Sequence, residues 1–180
     1  MSFIKSIFQK NGNITLEKFS GELKVVPEID LFSGNGKVVC FLDVETTGKN
    51  RQDDGIVEIA LKSVLVNEQT GEIQSVKDQY ESLNDPGIPI SDEASAVNGI
   101  TNDMVSGKKI NWGAAEKIVN ASELIVSHNA SFDRAFLDRA LPISNQKLWA
   151  CSINDIDWFS RGFTNFKQEL LCIWHGFYYE

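Results

Sequence analysis

Basic residues are too few in this chain to balance its acids: 17 Lys and Arg stand against 25 Asp and Glu, a formal charge of −8. That deficit excludes a protein that coats nucleic acid through a basic surface, because non-specific affinity comes mainly from Lys and Arg neutralising phosphates. Long apolar runs are also missing. None approaches the ~18 residues needed to span a bilayer, and MSFIKSIFQK has too short an apolar stretch and no small-residue site for a secretory signal. Cysteine is sparse. Cys40, Cys151 and Cys172 are odd in number and far apart, which excludes a disulfide framework and a cysteine metal centre. They are expected to be reduced core residues of a cytoplasmic protein with no membrane partner. Histidine is scarcer still, with only His128 and His175. Internal repeats and low-complexity segments are absent.

What is present suits one domain with a sizeable core: 180 residues, 42% of them hydrophobic and 23% charged. The stretch that organises the chain is VVCFLDVETTG, residues 38–48. It opens as an apolar run of the kind found in a strand buried on both faces. It then carries Asp43 and Glu45, which alternation places on one face about 6.6 Å apart along the strand. Two carboxylates that close repel unless a cation sits between them, and hard divalent ions such as Mg²⁺ or Mn²⁺ take carboxylate oxygens. Thr46, Thr47 and Gly48 then turn the chain. A cleft holding such ions could capture a single strand end despite the overall charge, since the acids that hold the ions count toward the deficit.

The remaining pattern predicts strands over 56–66, 73–83, 124–127 and 148–152. Helices are predicted after Ser91, after Thr101, over 111–120 and 130–141, and at about 153–160 and 165–174. The first three strands read as antiparallel, with later helices and strands alternating, so an α/β fold with a five-stranded mixed sheet flanked by helices is expected. Residues 1–36 read as a separate N-terminal extension ahead of a domain spanning 37–180. Phe3, Ile4, Ile7 and Phe8 have helical spacing there. Such a helix could dock on the main domain, the leading reading, or meet a partner or a membrane surface.

A second motif, SHNASFD (residues 127–133), ends an apolar strand and enters a helix. Ligands of α/β sheets gather beyond such strand ends. Asp133 falls in the first helical turn, where it could also act as a helix-dipole partner. His128 and Asn129 could satisfy the strand–helix junction.

Together VVCFLDVETTG, AVNGITNDMV (residues 96–105) and SHNASFD resemble the DnaQ-like exonucleases of the DEDD superfamily. That group includes the proofreading subunit of bacterial replicative polymerases, ribonuclease T and exonuclease X. The resemblance covers roughly residues 37–178. It implies an RNase H-like fold and stepwise removal of nucleotides from the 3′ end of single-stranded DNA or RNA by a two-metal mechanism. It also implies a polymerase or another replication or repair protein as partner. Carried over residue by residue, Asp43, Glu45 and Asp133 would be catalytic and would ligate two divalent ions, Mg²⁺ or Mn²⁺. Thr46, Thr47, Asn98 and Asn129 would meet the substrate. Asn98 stands where many members have His, and Phe132 is expected to pack beneath the site. The family closes with His, four residues, then Asp. Here His175 and Glu180 have that spacing with Glu in place of Asp. The preferred reading places His175 in the turn after the last helix, with the chain stopping before the final motif and lacking its C-terminal helix. An alternative is a catalytically inactive nuclease-fold module that binds a protein or a nucleic acid end. A third reading is an ordinary α/β domain with solvated acids.

Overall fold

The computed structural model describes residues 16–26 and 36–178. The N-terminal helix expected around Phe3 to Phe8, and Glu180, lie outside those residues. In chain order the elements are β1 (Glu17–Lys18), β2 (Gly36–Thr46), β3 (Ile56–Asn67), β4 (Ile73–Leu83), α1 (Asp92–Asn98), α2 (Asn102–Val105), α3 (Trp112–Ala121), β5 (Leu124–Ser127) and α4 (Ala130–Ala140). A 3₁₀ turn (Pro142–Gln146), β6 (Leu148–Cys151), α5 (Gln168–Trp174) and β7 (Phe177–Tyr178) complete the set.

Val25–Cys151 forms one compact unit. Its sheet runs β4-β3-β2-β5-β6. β2 pairs antiparallel with β3, and β3 with β4, while β5 and β6 join parallel. The sheet is therefore mixed, with β2 at its centre and the change from antiparallel to parallel on either side of it. Alternation along β2 sends Cys40, Leu42 and Val44 into the core. α3 supplies Ala115, Ile118 and Val119 against them, and α4 supplies Phe136 and Leu137. The opposite face of β2 carries Phe41, Asp43 and Glu45. Phe41 is 42% exposed, so β2 is not buried on both faces as its apolar run suggested: that run marks one packed face and one open one.

Local signals place the helices. Ser91 Oγ accepts from Ala94 N at 3.1 Å, Thr101 Oγ1 from Met104 N at 3.4 Å and Asn111 Oδ1 from Ala114 N at 3.2 Å, so α1, α2 and α3 all start on side-chain caps. Val57, Ile90, Ile100 and Val105 form a second small core under the α1–α2 segment.

Residues 16–24 with 152–178 form the other compact unit. β1 pairs parallel with β7. The expected helix at 153–160 is instead a run of turns. Asp157 explains this, since its carboxylate accepts from Ser160 N at 3.0 Å and its carbonyl from Ser160 Oγ at 3.0 Å, which draws the backbone out of a helical ladder. Phe163 is the centre of this unit, with the Trp158 and Trp174 rings edge-on at 5.4 and 5.5 Å and His175 stacked at 5.9 Å. Cys40, Cys151 and Cys172 form no disulfide.

Phe136 is fully buried where α4 meets the sheet. Phe136→Ala is expected to cost ~3–5 kcal/mol, read from the shift of the urea unfolding midpoint at unchanged m-value.

Candidate active site

β5 is short, and its pairing with β2 covers only Val39, Cys40 and Phe41. Beyond that point two backbone groups of β2 need other partners. Ser127 Oγ donates to Leu42 O at 2.7 Å, and Val44 N donates to Asp133 Oδ1 at 3.1 Å. Asp133 is only 2% exposed, and it takes the place of a neighbouring strand at that position. The N–H it accepts lies between Asp43 and Glu45 in the chain, so the second motif is tied directly to the first.

The link between β5 and α4 turns at Asn129, which has φ 71° and ψ 48°. It is the one non-glycine residue with positive φ among the described residues. Asn tolerates this left-handed conformation better than most residues. Its side chain accepts from Ser131 Oγ at 3.4 Å rather than capping α4.

Register adds acids that motif matching passed over. Glu45 faces Glu58 directly across the β2–β3 pair, and Asp43 faces Ala60, which in turn faces Glu81 on β4. Residues directly opposite in a sheet project to the same face. Asp43, Glu45, Glu58 and Glu81 therefore share the open face. The hairpin register was the signal that could have found Glu58 and Glu81, but a shift at Glu45/Thr46 makes the alignment hard to count from the chain alone.

The electrostatics follow from this crowding. Burial and the charge of Asp43 push the Asp133 carboxyl up to about 7, with Glu45 adding to the rise and the Val44 N–H opposing it. Asp43 keeps solvent access, yet the surrounding protein still removes enough water to raise its pKa, against the pull of His128. Glu45 is raised by burial, then by Asp43 and Glu58, while a hydrogen bond from Asn98 lowers it. Glu58 is raised by burial, then by Glu81 and Asp43. These groups share a field of like charge that a divalent cation would relieve. Their donors are hard carboxylate oxygens, which suit Mg²⁺ or Mn²⁺. Among the described residues, no three Asp, Glu, His or Cys side chains are already drawn together as a ligand cage, so the fit is one of donor chemistry.

The turn after the acids is internally bonded. Thr46 Oγ1 donates to Gly48 O at 2.6 Å. Thr47, 1% exposed, donates to Asp54 Oδ1 at 2.7 Å and accepts from Gly55 N at 3.1 Å. A Cβ at Gly48 would lie 2.5 Å from Asp54 Oδ2, so this position admits only glycine while Asp54 stays in place. Both threonine hydroxyls are thus spent on shaping the turn. Asn98, from the end of α1, reaches the same turn: its Nδ2 donates to Thr46 O at 3.4 Å and its Oδ1 accepts from Ile100 N at 2.9 Å. Phe132 packs against the core beside Phe136, ring centroids 5.0 Å apart.

His175 belongs to the unit containing residues 152–178. It caps α5, its Nδ1 lies 2.7 Å from Leu171 O, and its ring stacks on Phe163. It stands directly after the end of α5.

Comparison with known proteins places these features in context. The family model RNase_T, described as Exonuclease, matches residues 40–169. A DNA polymerase III of the PolC type from Listeria welshimeri is 38% identical over 103 residues, covering 56% of this chain and 7% of the relative. The chain spans less than a tenth of the length of such polymerases. Among solved structures, Exonuclease X in complex with 5′ overhanging duplex DNA is 28% identical at a TM-score of 0.46, covering 76% of this chain and 71% of that one. Exonuclease I of E. coli in complex with an oligonucleotide is 14% identical at a TM-score of 0.50, covering 64% of this chain and 28% of that one. The five-stranded mixed sheet with flanking helices is RNase H-like.

The raised pKa of Asp133 has a signed consequence. An acid that holds its proton more tightly when folded contributes stability below its unfolded pKa, near 3.8, and loses it as pH rises through about 7. In EDTA the melting temperature is expected to fall between pH 4 and pH 7, and Asp133→Asn should remove the largest part of that slope. A slope unchanged in the variant would show that Asp133 does not carry it.

Proposed function

This chain belongs to the RNase_T exonuclease family, among the DnaQ-like 3′–5′ exonucleases, and on that premise we propose that it removes nucleotides one at a time from the 3′ end of single-stranded DNA or RNA. The observation that carries the reading is the Val44 N–H bond to Asp133, which brings the acid of the second motif to the two acids of the first. Asp43, Glu45 and Asp133 would hold two divalent ions, Mg²⁺ or Mn²⁺, with Glu58 close by. When bound, such ions stabilise charge on the scissile phosphate and lower the pKa of an attacking water.

The chain's own residues prepare that chemistry. The sheet holds Asp43 and Glu45 on one face, and α4 delivers Asp133 from the side. The amide of Asn98 favours the charged form of Glu45. The tight turn from Thr46 to Gly48 would face a terminal nucleotide, and Asn129 is exposed at the head of α4. The polymerase context of the PolC relatives suggests a replication or repair enzyme as partner. Among the described residues no helix is long and apolar enough to cross a membrane, and three cysteines outside any disulfide suit the cytoplasm.

One observation favours a second reading, in which the domain grips a strand end without cutting it. His175, which has the spacing of the family's closing motif, is engaged with Leu171 O and Phe163. A 5′-labelled single-stranded oligonucleotide with Mn²⁺ separates the two. A ladder shortening from the 3′ end is expected, and Asp43→Asn, Glu45→Gln or Asp133→Asn should each lower the rate by ~10²-fold or more. Binding with no shortening would establish the second reading instead. His175→Ala is expected to leave the rate within a few-fold, and its collapse would return His175 to the catalytic machinery.

A further inference from the structure

The loop between β2 and β3 is held from outside by a residue that no motif includes. Arg139, in the last turn of α4, donates through Nη1 to Arg51 O at 2.7 Å and Gln52 O at 2.5 Å, and through Nη2 to Asp54 O. Its guanidinium also lies over the Phe136 ring, 5.5 Å from the centroid. A planar, permanently charged fork suits three converging carbonyls. Inside the loop, Asn50 N donates to Asp54 Oδ2 at 2.8 Å, Asp54 N to Asn50 O at 2.9 Å and Thr47 N to Gly55 O at 2.9 Å. The loop is therefore a closed ring of bonds with its outward carbonyls gathered on one cation.

Arg139 is six residues beyond Asp133, about 9 Å along the helix axis. The same helix thus touches both the acid strand and the loop after it. Asp133 binds the backbone between the first two acids, and Arg139 binds the loop that follows them. An exposed polar loop without such an anchor opens locally at little cost.

We propose that Arg139 is a positioning residue: it clamps the 47–55 loop to the helix that carries Asp133, and so fixes the surface that receives the terminal nucleotide relative to the acids. This rests on the exonuclease reading for the identity of the ligand. The loop arm of the proposal stands on the three carbonyl contacts alone.

The experiment uses the full chain and two arms. In the first, hydrogen exchange compares wild type with Arg139→Ala. The amides of Thr47, Asn50 and Asp54 should exchange at least 10-fold faster in the variant, with β2 and β3 amides unchanged. Unchanged loop exchange overturns the clamp. In the second, fluorescence anisotropy measures binding of a 5′-labelled single-stranded DNA oligonucleotide with a free 3′ hydroxyl, with Ca²⁺ present. Arg139→Ala should raise Kd about 10-fold, and millimolar guanidinium should recover most of that loss. Arg134→Ala removes an equal charge from the same helix, where Arg134 pairs with Asp138 at 3.2 Å, and should leave Kd within two-fold. Equal weakening by both variants would show a charge effect and overturn the positioning role. A loosened loop with unchanged Kd would also overturn it. Absence of binding by wild type would sink the exonuclease reading, while the exchange arm would still decide the clamp.

Discussion

The hydrogen bond from Val44 N to Asp133 Oδ1 is the constraint on which the candidate site depends. It exists because β5 is too short to accompany β2 to its carboxyl end. A buried N–H at the centre of a sheet needs a partner, and here a carboxylate from the next helix supplies it. That substitution brings a third acid to the carboxyl end of β2. Ligands of open α/β sheets gather outside the carboxyl ends of such strands. The Asn129 turn makes the arrangement possible, since α4 begins directly after β5 and its first turn must swing back over β2.

The same constraint sets the electrostatics. The backbone N–H groups of Val44 and Asp133 favour the charged form of Asp133, while burial and Asp43 work against it and prevail. Glu45 stands directly opposite Glu58, a pairing that would weaken an ordinary sheet. The fold tolerates it because this face is open at the acids, whereas the opposite face of β2 is packed by α3 and α4. Stability is concentrated on the packed face, and the acids are left on the open one. Arg139 extends this division of labour, using the far end of the same helix to hold the loop that leaves the acid strand.

The smaller unit follows a different logic. Its residues are organised by rings around Phe163 rather than by a sheet. His175 is part of that packing and of the α5 cap. The spacing from His175 to Glu180 resembles the family's closing motif, and the His175 ring stacks on Phe163.

The chain by itself determined the elements whose causes are local. Alternation in residues 36–46 set which side chains of β2 share a face, and Ser91, Thr101 and Asn111 marked helix starts because their side chains cap adjacent N–H groups. The order and wording of three motifs were specific enough to indicate a DnaQ-like nuclease, and the five-stranded mixed sheet was legible from hairpin spacing followed by alternation of helix and strand. Residues 153–160 misled because Asp157 and Ser160 offer the backbone turn bonds that apolar spacing does not register. Only the tertiary structure decided that Phe41 stays open, that Glu58 and Glu81 join the acids, and that Arg139 grips a loop 85 to 88 residues earlier in the chain. The physical reason is the same in each case: cross-strand register and long-range hydrogen bonds depend on where distant segments meet, and that position is set by packing rather than by any local pattern.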